Sequence, residues 1–448
     1  MTAGRRYLLG AAAVAAIAVA GAVWYLRGPG PLAFAGGSSV QLADFKGADP
    51  TGVPASLAKE DIVKRGEYLA RAADCMVCHT ARGGKEYAGG LVFKLPFGEL
   101  YSTNITADKE TGIGNYSDRD FLNAVQHGTR RDGASLYPAM PFTSYTYLTD
   151  ADALAIKAYL FSLAPVRAVA PANTLAFPFN QRWGMLFWTV LFNRDGRFEP
   201  NAQQSAEWNR GAYLAEALAH CGECHTPRNL AFALDNRQKF AGAITAGWRA
   251  FNVSSDKTTG IGGWRDDDIV SYLSVGHATG HGTASGPMGE AVDESFSQLT
   301  PEDIKALVTY LRTVPAVGST DLPATRAPPA SPSHKIMAGT PDPNGKMLFE
   351  GSCVSCHGWT GESSLSPFAT LTGAWAVNDP GATNVAQIVI SGTTRRSPAG
   401  AISMPAFGAS HSDAEIAAVT NYVTARFGTK ASAITAKDVA ELRKQTSQ

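Results

Sequence analysis

All six cysteines of the 448-residue chain fall in one pattern, used three times: "CMVCH" (Cys75, Cys78, His79), "CGECH" (Cys221, Cys224, His225) and "CVSCH" (Cys353, Cys356, His357). Two thiols three positions apart, with a histidine directly after the second, limit the available chemistry. Structural zinc takes four ligands, usually from two separate pairs, and each motif offers one pair. A redox dithiol is expected beside a βαβ pattern and has no use for the histidine. An even cysteine count in an exported chain reads as a disulfide framework, but here no cysteine is left outside the motif. What remains is C-x-x-C-H, the signature of c-type haem attachment. Two thiols add to the haem vinyl groups, and the adjoining imidazole falls on the proximal face of the iron. Three motifs predict three covalently bound haem c groups.

Such an iron needs a sixth ligand, and in electron carriers that is often Met. Met140, Met288 and Met404 each stand twelve residues after a glycine: Gly128, Gly276 and Gly392. One shared spacing marks these three as axial ligands opposite His79, His225 and His357. Met76, Met185, Met337 and Met347 share no register and read as packing or loop residues. His127, His220, His277, His281, His334 and His411 recur in no common position and read as solvated or hydrogen-bonded. His127 and His277 border the loops leading to Met140 and Met288, where a haem propionate or a neighbouring cofactor could lie. An iron held by His and Met has no open position for substrate, so the expected task is electron transfer rather than catalysis.

The elements that must position these ligands repeat as well. "RGEYLARAADC" from Arg65 parallels "RGAYLAEALAHC" from Arg210, each helix-like, the second longer by one residue. "NITADKETGIGNYSDRD" from Asn104 parallels "NVSSDKTTGIGGWRDDD" from Asn252. The glycine-rich "TGIG" runs within them read as scaffold rather than phosphate loops. Each copy ends on a comparable helix, opened by Thr149, Thr300 or Ser412 and followed three residues later by Asp152, Asp303 or Glu415. Only Ser412 with Glu415 is a strict capping box. Tyr159, Tyr310 and Tyr422 fall on the apolar faces of these helices and read as core.

The expected organisation is an N-terminal segment over 1–35, haem domains over 44–165, 205–318 and 340–430, and a tail over 431–448. Linkers at 166–204 and 319–339 separate the domains. The second linker lies in a stretch from Pro315 to Pro343 with seven prolines, which predicts an extended, irregular segment. The first contains "RWGMLFWTVLF", Arg182 to Phe192, too short to span a bilayer. It reads either as a buried helix or domain interface, or as a segment lying on a bilayer or on a partner subunit.

From Tyr7 to Leu26 the chain carries no charge, and twenty helical residues reach roughly 30 Å, enough to cross a hydrocarbon core. Arg5 and Arg6 before it, and Trp24, Tyr25 and Arg27 at its end, predict a retained anchor with its N-terminus inside. "AFA" at Ala33–Ala35 offers the alternative of a cleaved signal, and "RRYLL" loosely resembles a twin-arginine signal. Both place the remaining chain on the periplasmic side of the inner membrane. With 39 basic and 39 acidic residues, no net field draws in nucleic acid. Arg130–Arg131 and Arg395–Arg396 read as solvated surface charge, with docking to an acidic partner as the sharper alternative.

On "RGEYLARAADCMVCHT", "YSTNITADKETGIGNYSDRDF", "YPAMPF", "SAEWNRGAYLAEALAHCGECHTPRN" and "GIGGWRDDDIVSYL", the chain resembles the triheme cytochrome c subunits of membrane-bound bacterial dehydrogenase complexes. The resemblance implies a mainly α fold of three tandem class I cytochrome c-like domains behind an N-terminal transmembrane or signal helix. It also implies electrons arriving from a catalytic subunit that oxidises alcohols, aldehydes, gluconate or related polyols, and leaving to ubiquinone. That partner would carry molybdopterin with iron–sulfur clusters, a quinone cofactor or flavin. The anchor-like N-terminus leans toward the aldehyde, molybdopterin branch, with a flavin-dependent gluconate or polyol dehydrogenase as the alternative. A multihaem peroxidase or an oxidase-linked cytochrome is the alternative of another class.

Overall fold

The computed structural model describes residues 3–319, 342–397 and 400–446. Most of the Pro-rich linker at 319–339, with His334 and Met337, lies outside the described residues. Helix α1 (Ala3–Arg27) leads into three units. The first holds α2 (Ile62–Ala72), α3 (Cys75–His79), ribbon β1–β2 (Val92–Leu95 with Gly98–Tyr101), α4 (Asp118–His127), α5 (Phe142–Tyr145) and α6 (Asp150–Ser162). After α7 (Trp183–Phe192), the second holds α8 (Ala206–Tyr213), α9 (Gly222–His225) and ribbon β3–β4 (Ala243–Thr245 with Trp248–Ala250). It continues with α10 (Asp266–Val275), ribbon β5–β6 (His277–Ala278 with Gly282–Thr283), α11 (Gly286–Glu294) and α12 (Pro301–Leu311). The third holds α13 (Pro343–Ser352), α14 (Val354–His357), α15 (Trp375–Asn378) and α16 (Thr383–Ser391). Ribbon β7–β8 (Thr393–Ser397 with Gly400–Met404), α17 (Asp413–Phe427) and α18 (Ala436–Gln445) complete it.

One packing device recurs in all three units. The helix before the cysteines crosses the last long helix of its unit, α2 on α6, α8 on α12 and α13 on α17. At each crossing a glycine lets the backbones close. A Cβ on Gly66 would lie 1.9 Å from the Ala155 carbonyl oxygen, on Gly211 1.9 Å from that of Ala306, and on Gly345 2.2 Å from that of Ala418. Tyr159, Tyr310 and Tyr422 line the same contacts and are buried.

The extra residue of the second repeat is taken up inside its helix. Beyond Tyr213, α8 passes into a π-helical turn over Leu214–Leu218, and Ala219 N donates to Leu214 O, five residues back. A π turn is how a helix accepts one inserted residue without losing the face on either side.

Tyr68, Tyr159, Tyr213 and Tyr310 belong to a single hydrophobic core shared by the first two units, while Phe349, Val377, Ile416 and Phe427 lie in a separate core for the third. Within the expected tail at 431–448 the described residues, to Thr446, are anchored: Val439 of α18 is buried in the third core, and Lys94 of the first unit donates to Thr446 O.

Two expectations are corrected. Among the described residues no helix is long and apolar enough to cross a membrane, which overturns the inner-membrane anchor and the localisation built on it. From Ala12 to Arg27, the part of α1 whose side chains are described, the helix has 16 residues, about 24 Å against the roughly 30 Å of a hydrocarbon core. The end of α1 is instead fastened to the second unit. Arg237 lies over the Tyr25 ring at 4.1 Å, and Asn229 donates to Leu26 O.

The second correction concerns Arg395, read as surface charge. Its side chain is 2 % exposed and reaches from β7 into the second unit, 3.0 Å from Asp293, donating to Gly289 O. Arg396 does stay exposed, beside Glu294. The acidic partner is therefore in the same chain. Arg130 and Arg131 are solvated as expected.

Candidate functional site

Each motif winds into a short helix, α3, α9 and α14, which puts two cysteines three residues apart on one face with the histidine beside them. In the first two units the residue before the first cysteine is left-handed, Asp74 at φ 54° and His220 at φ 37°. His220 thus has a structural counterpart in Asp74, with which it shares a position and a backbone conformation but not a side chain. None of the six cysteines is in a disulfide. Burial pushes Cys75 and Cys221 up to about 12 and Cys224 and Cys353 up to about 11. Among the described residues no three His, Cys, Asp or Glu side chains converge as a metal-binding group, so no motif is joined by the second pair that structural zinc needs.

The strongest evidence lies in the histidines. His79 Nδ1 sits 2.7 Å from Thr103 O, His225 Nδ1 2.6 Å from Phe251 O, and His357 Nδ1 2.6 Å from Ala369 O. A carbonyl only accepts, so Nδ1 carries the proton in all three rings and Nε2 keeps its lone pair. Burial also lowers the pKa of each ring below its ordinary value, holding it neutral. A neutral imidazole with one nitrogen tied to a carbonyl is how proteins present the other to a metal. This donor set fits haem iron, with the paired thiols alongside for the vinyl groups.

Sequence reasoning missed Thr103, Phe251 and Ala369 because they act through backbone carbonyls. The available signal was the asparagine after the first two. Asn104 Nδ2 donates to Thr111 Oγ1 and Val166 O, and its Oδ1 accepts from Thr106 N. Asn252 repeats this with Thr259, Val317 and Ser254. The repeated Asn–Gly–Ile–Gly stretch is thus the brace that holds the carbonyl to which the histidine is tied.

The methionine register has a physical origin too. Gly128, Gly276 and Gly392 cap α4, α10 and α16 with φ of 63°, 76° and 67°, a conformation that favours glycine. Twelve residues on, the three environments differ. Met140 ends a turn before α5, Met288 sits in the first turn of α11, and Met404 closes β8. Cys75, Cys221, Met140 and Met288 pack against the shared core, and Cys353 and Met404 against the third.

The three attachment segments adjoin one another. Helix α11, which carries Met288, packs on α3 of the first motif. Tyr145 donates to Ala73 O at 2.6 Å and sets its ring 5.4 Å from that of His220, so His220 fills the seam between the first two motifs. Trp375 of the third unit meets Phe251 at 5.4 Å and Trp264 at 4.9 Å. Thr283 donates to Phe368 O while His277 packs on the Phe368 ring. The carbonyls that hold His225 and His357 therefore belong to residues at, or next to, one interface.

The remaining histidines keep ordinary partners. His127 lies 3.4 Å from Asp195, His281 stacks on Trp264, and His411 pairs with Ser410. Helix α7 is not the buried helix considered above. Trp188 donates to Ala231 O and packs on Phe142, but Trp183, Leu186, Phe187 and Val190 are exposed.

The first and third motifs fall within matches to known families. Residues 63–164 match the family model "Cytochrome c", and residues 341–423 match "Cytochrome C oxidase, cbb3-type, subunit III". The chain is 38% identical to the fructose dehydrogenase cytochrome subunit of Gluconobacter japonicus, over 88% of this chain and 85% of that one. It is 38% identical to the gluconate 2-dehydrogenase cytochrome c subunit of Pantoea cypripedii, over 86% and 90%. It is 35% identical to the cytochrome c subunit of alcohol dehydrogenase (quinone) of Gluconobacter oxydans, over 86% and 83%.

Proposed function

The chain belongs to the family of cytochrome c subunits of dehydrogenase complexes, and from that premise we propose that it is a three-haem electron relay between a catalytic dehydrogenase subunit and ubiquinone. Its cytochrome c domains imply covalently bound haem c, and its relatives imply a catalytic dehydrogenase as partner. Bound haem supplies a one-electron couple. The protein supplies attachment through Cys75 and Cys78, Cys221 and Cys224, and Cys353 and Cys356, with His79, His225 and His357 as proximal ligands. Met140, Met288 and Met404 would hold the iron together with these histidines. The single observation that carries this reading is the threefold tie of a motif histidine's Nδ1 to a backbone carbonyl, which leaves three Nε2 atoms free for iron.

For the donor, the two relatives at 38% identity over most of both chains act with fructose and gluconate dehydrogenases, and the alcohol relative stands at 35%. A relative named for nicotinate dehydrogenase stands at 40%, so the relatives support a sugar or sugar-acid dehydrogenase as one type of partner and do not rank it above the others. The oxidase model covers one unit only, whereas the dehydrogenase relatives run the length of the chain. The multihaem peroxidase alternative requires an iron with an exchangeable site. Optical spectra separate the two: this account expects low-spin ferrous haem that does not take up carbon monoxide stoichiometrically. High-spin ferrous haem binding one carbon monoxide per site would overturn it.

A further inference from the structure

The second attachment segment carries a charge arrangement that the other two lack. The π turn brings Glu216 into the interior, where its side chain is 6 % exposed. There it meets Lys239, 5 % exposed, at 2.7 Å, and accepts from the Tyr310 hydroxyl at 2.6 Å. Counting from the crossing glycines, the matching residues are Arg71 and Glu350. Arg71 pairs with Glu67 and Glu350 with Lys346, both nearer solvent. Only the second unit buries its pair.

That pair adjoins the second motif. Lys239 Nζ lies 4.3 Å from the centre of the Phe240 ring. Phe240 N donates to Thr226 Oγ1, directly after His225, and its ring borders Gly222, between the two cysteines. Both charges act on the Cys221 thiol in opposite senses, Glu216 raising its pKa more than Lys239 lowers it. A buried ion pair is often no more stabilising than hydrophobic residues of the same volume, so stability alone does not account for it.

We propose that the buried Glu216–Lys239 pair, held in place by the π turn and by Tyr310, sets the reduction potential of the second haem apart from the first and third. The proposal rests on the reading of Cys221, Cys224 and His225 as that haem's attachment. Reduction adds one electron to a ferric iron, taken from the upstream donor, and lowers the charge at the site by one. An uncompensated negative charge nearby favours the oxidised form, and a positive one favours the reduced form. The interior screens such a charge far less than water does.

The test is spectroelectrochemistry of the holoprotein, with Met288→His used to identify which reduction step belongs to the second haem. Glu216→Gln, read at mildly acidic pH so that Lys239 stays charged, is expected to raise that step. Lys239→Met, read at mildly alkaline pH so that Glu216 stays ionised, is expected to lower it. Each shift should change the oxidised-to-reduced ratio at fixed potential about tenfold, about 59 mV for a one-electron couple. The double variant should lie between the two single variants and stay displaced from the wild type, and the other two steps should stay in place; a double variant whose second step coincides with the wild type overturns the proposal. Each variant is compared with the wild type at its own pH, and covalent haem content shows that it has matured normally. Intact haem content with no shift, or equal shifts in all three steps, overturns the proposal and leaves the relay standing. A wild type without haem at the second motif overturns the relay itself.

Discussion

Tyr68 of the first unit donates to Asp303 of the second at 2.6 Å, and Tyr213 of the second returns the bond to Asp152 of the first at 2.5 Å. The two bonds are equivalent under exchange of the units, as two copies of one module packed face to face would make them. They also explain a departure visible in the sequence. Thr149 and Thr300 cap their helices through Asp152 N and Asp303 N, but neither aspartate completes a capping box, because each carboxylate faces a tyrosine across the interface. In the third unit Met347 replaces that tyrosine, and Ser412 with Glu415 forms the full box.

Tyr68→Phe and Tyr213→Phe should each cost about 1–3 kcal/mol, the range for leaving a buried polar partner short of a hydrogen bond. Asp303 keeps Arg210 at 2.6 Å and Asp152 keeps Gly52 N at 2.8 Å, so neither change should prevent folding. Thermal unfolding of the holoprotein checks this. A loss within a few tenths of a kcal/mol for both variants would mean the paired bonds do not hold the units together.

Helix α13 contains two glycines with opposite expectations. A Cβ on Gly345 has no room against Ala418 O, whereas one on Gly351 meets nothing within 4 Å. Gly345→Ala should destabilise by at least about 1–3 kcal/mol through overpacking, and Gly351→Ala should stabilise by up to about 1 kcal/mol through helix propensity. Denaturant unfolding of the pair, read in the third unit, distinguishes them. Equal effects would contradict the close crossing.

Acid should loosen the contact between the second and third units. Burial lowers the pKa of His277 and His281 below the ordinary 6.5. His277 packs on Phe368, and the backbone oxygen of His281 accepts from Trp375 N. Between the folded and unfolded pKa values the unfolded chain binds more protons, so stability rises with pH across that window. Their contribution is complete above about pH 6.5 and is lost as pH falls toward the folded values. Melting curves stepped through this range should show the loss, and His277→Gln with His281→Gln should flatten it. An unchanged acid limb in the double variant would place the effect elsewhere.

The three C-x-x-C-H motifs, the methionine spacing and the capping residues were legible in the sequence because each depends on side-chain identity at a fixed local offset. The tie of His79, His225 and His357 to Thr103, Phe251 and Ala369 was not, since a backbone carbonyl leaves no mark of its own. Arg395 was misread because its partner Asp293 lies in another unit, and local charge patterning treats an unpaired arginine as solvated. The anchor was read from the uncharged run over Tyr7 to Leu26, whereas among the described residues no helix is long and apolar enough to cross a membrane. The kinship of His220 with Asp74 lies in a left-handed backbone, which two unlike side chains do not reveal.

The central claim is that all three motifs carry haem in the mature chain, and intact-mass measurement of the purified holoprotein under denaturing conditions tests it most directly. Thioether attachment survives denaturation, so the account predicts three covalent haem additions per chain, falling to two when Cys353 and Cys356 are replaced by Ala. A wild-type mass with two additions or fewer, or three still bound to the Cys353→Ala, Cys356→Ala variant, would contradict it.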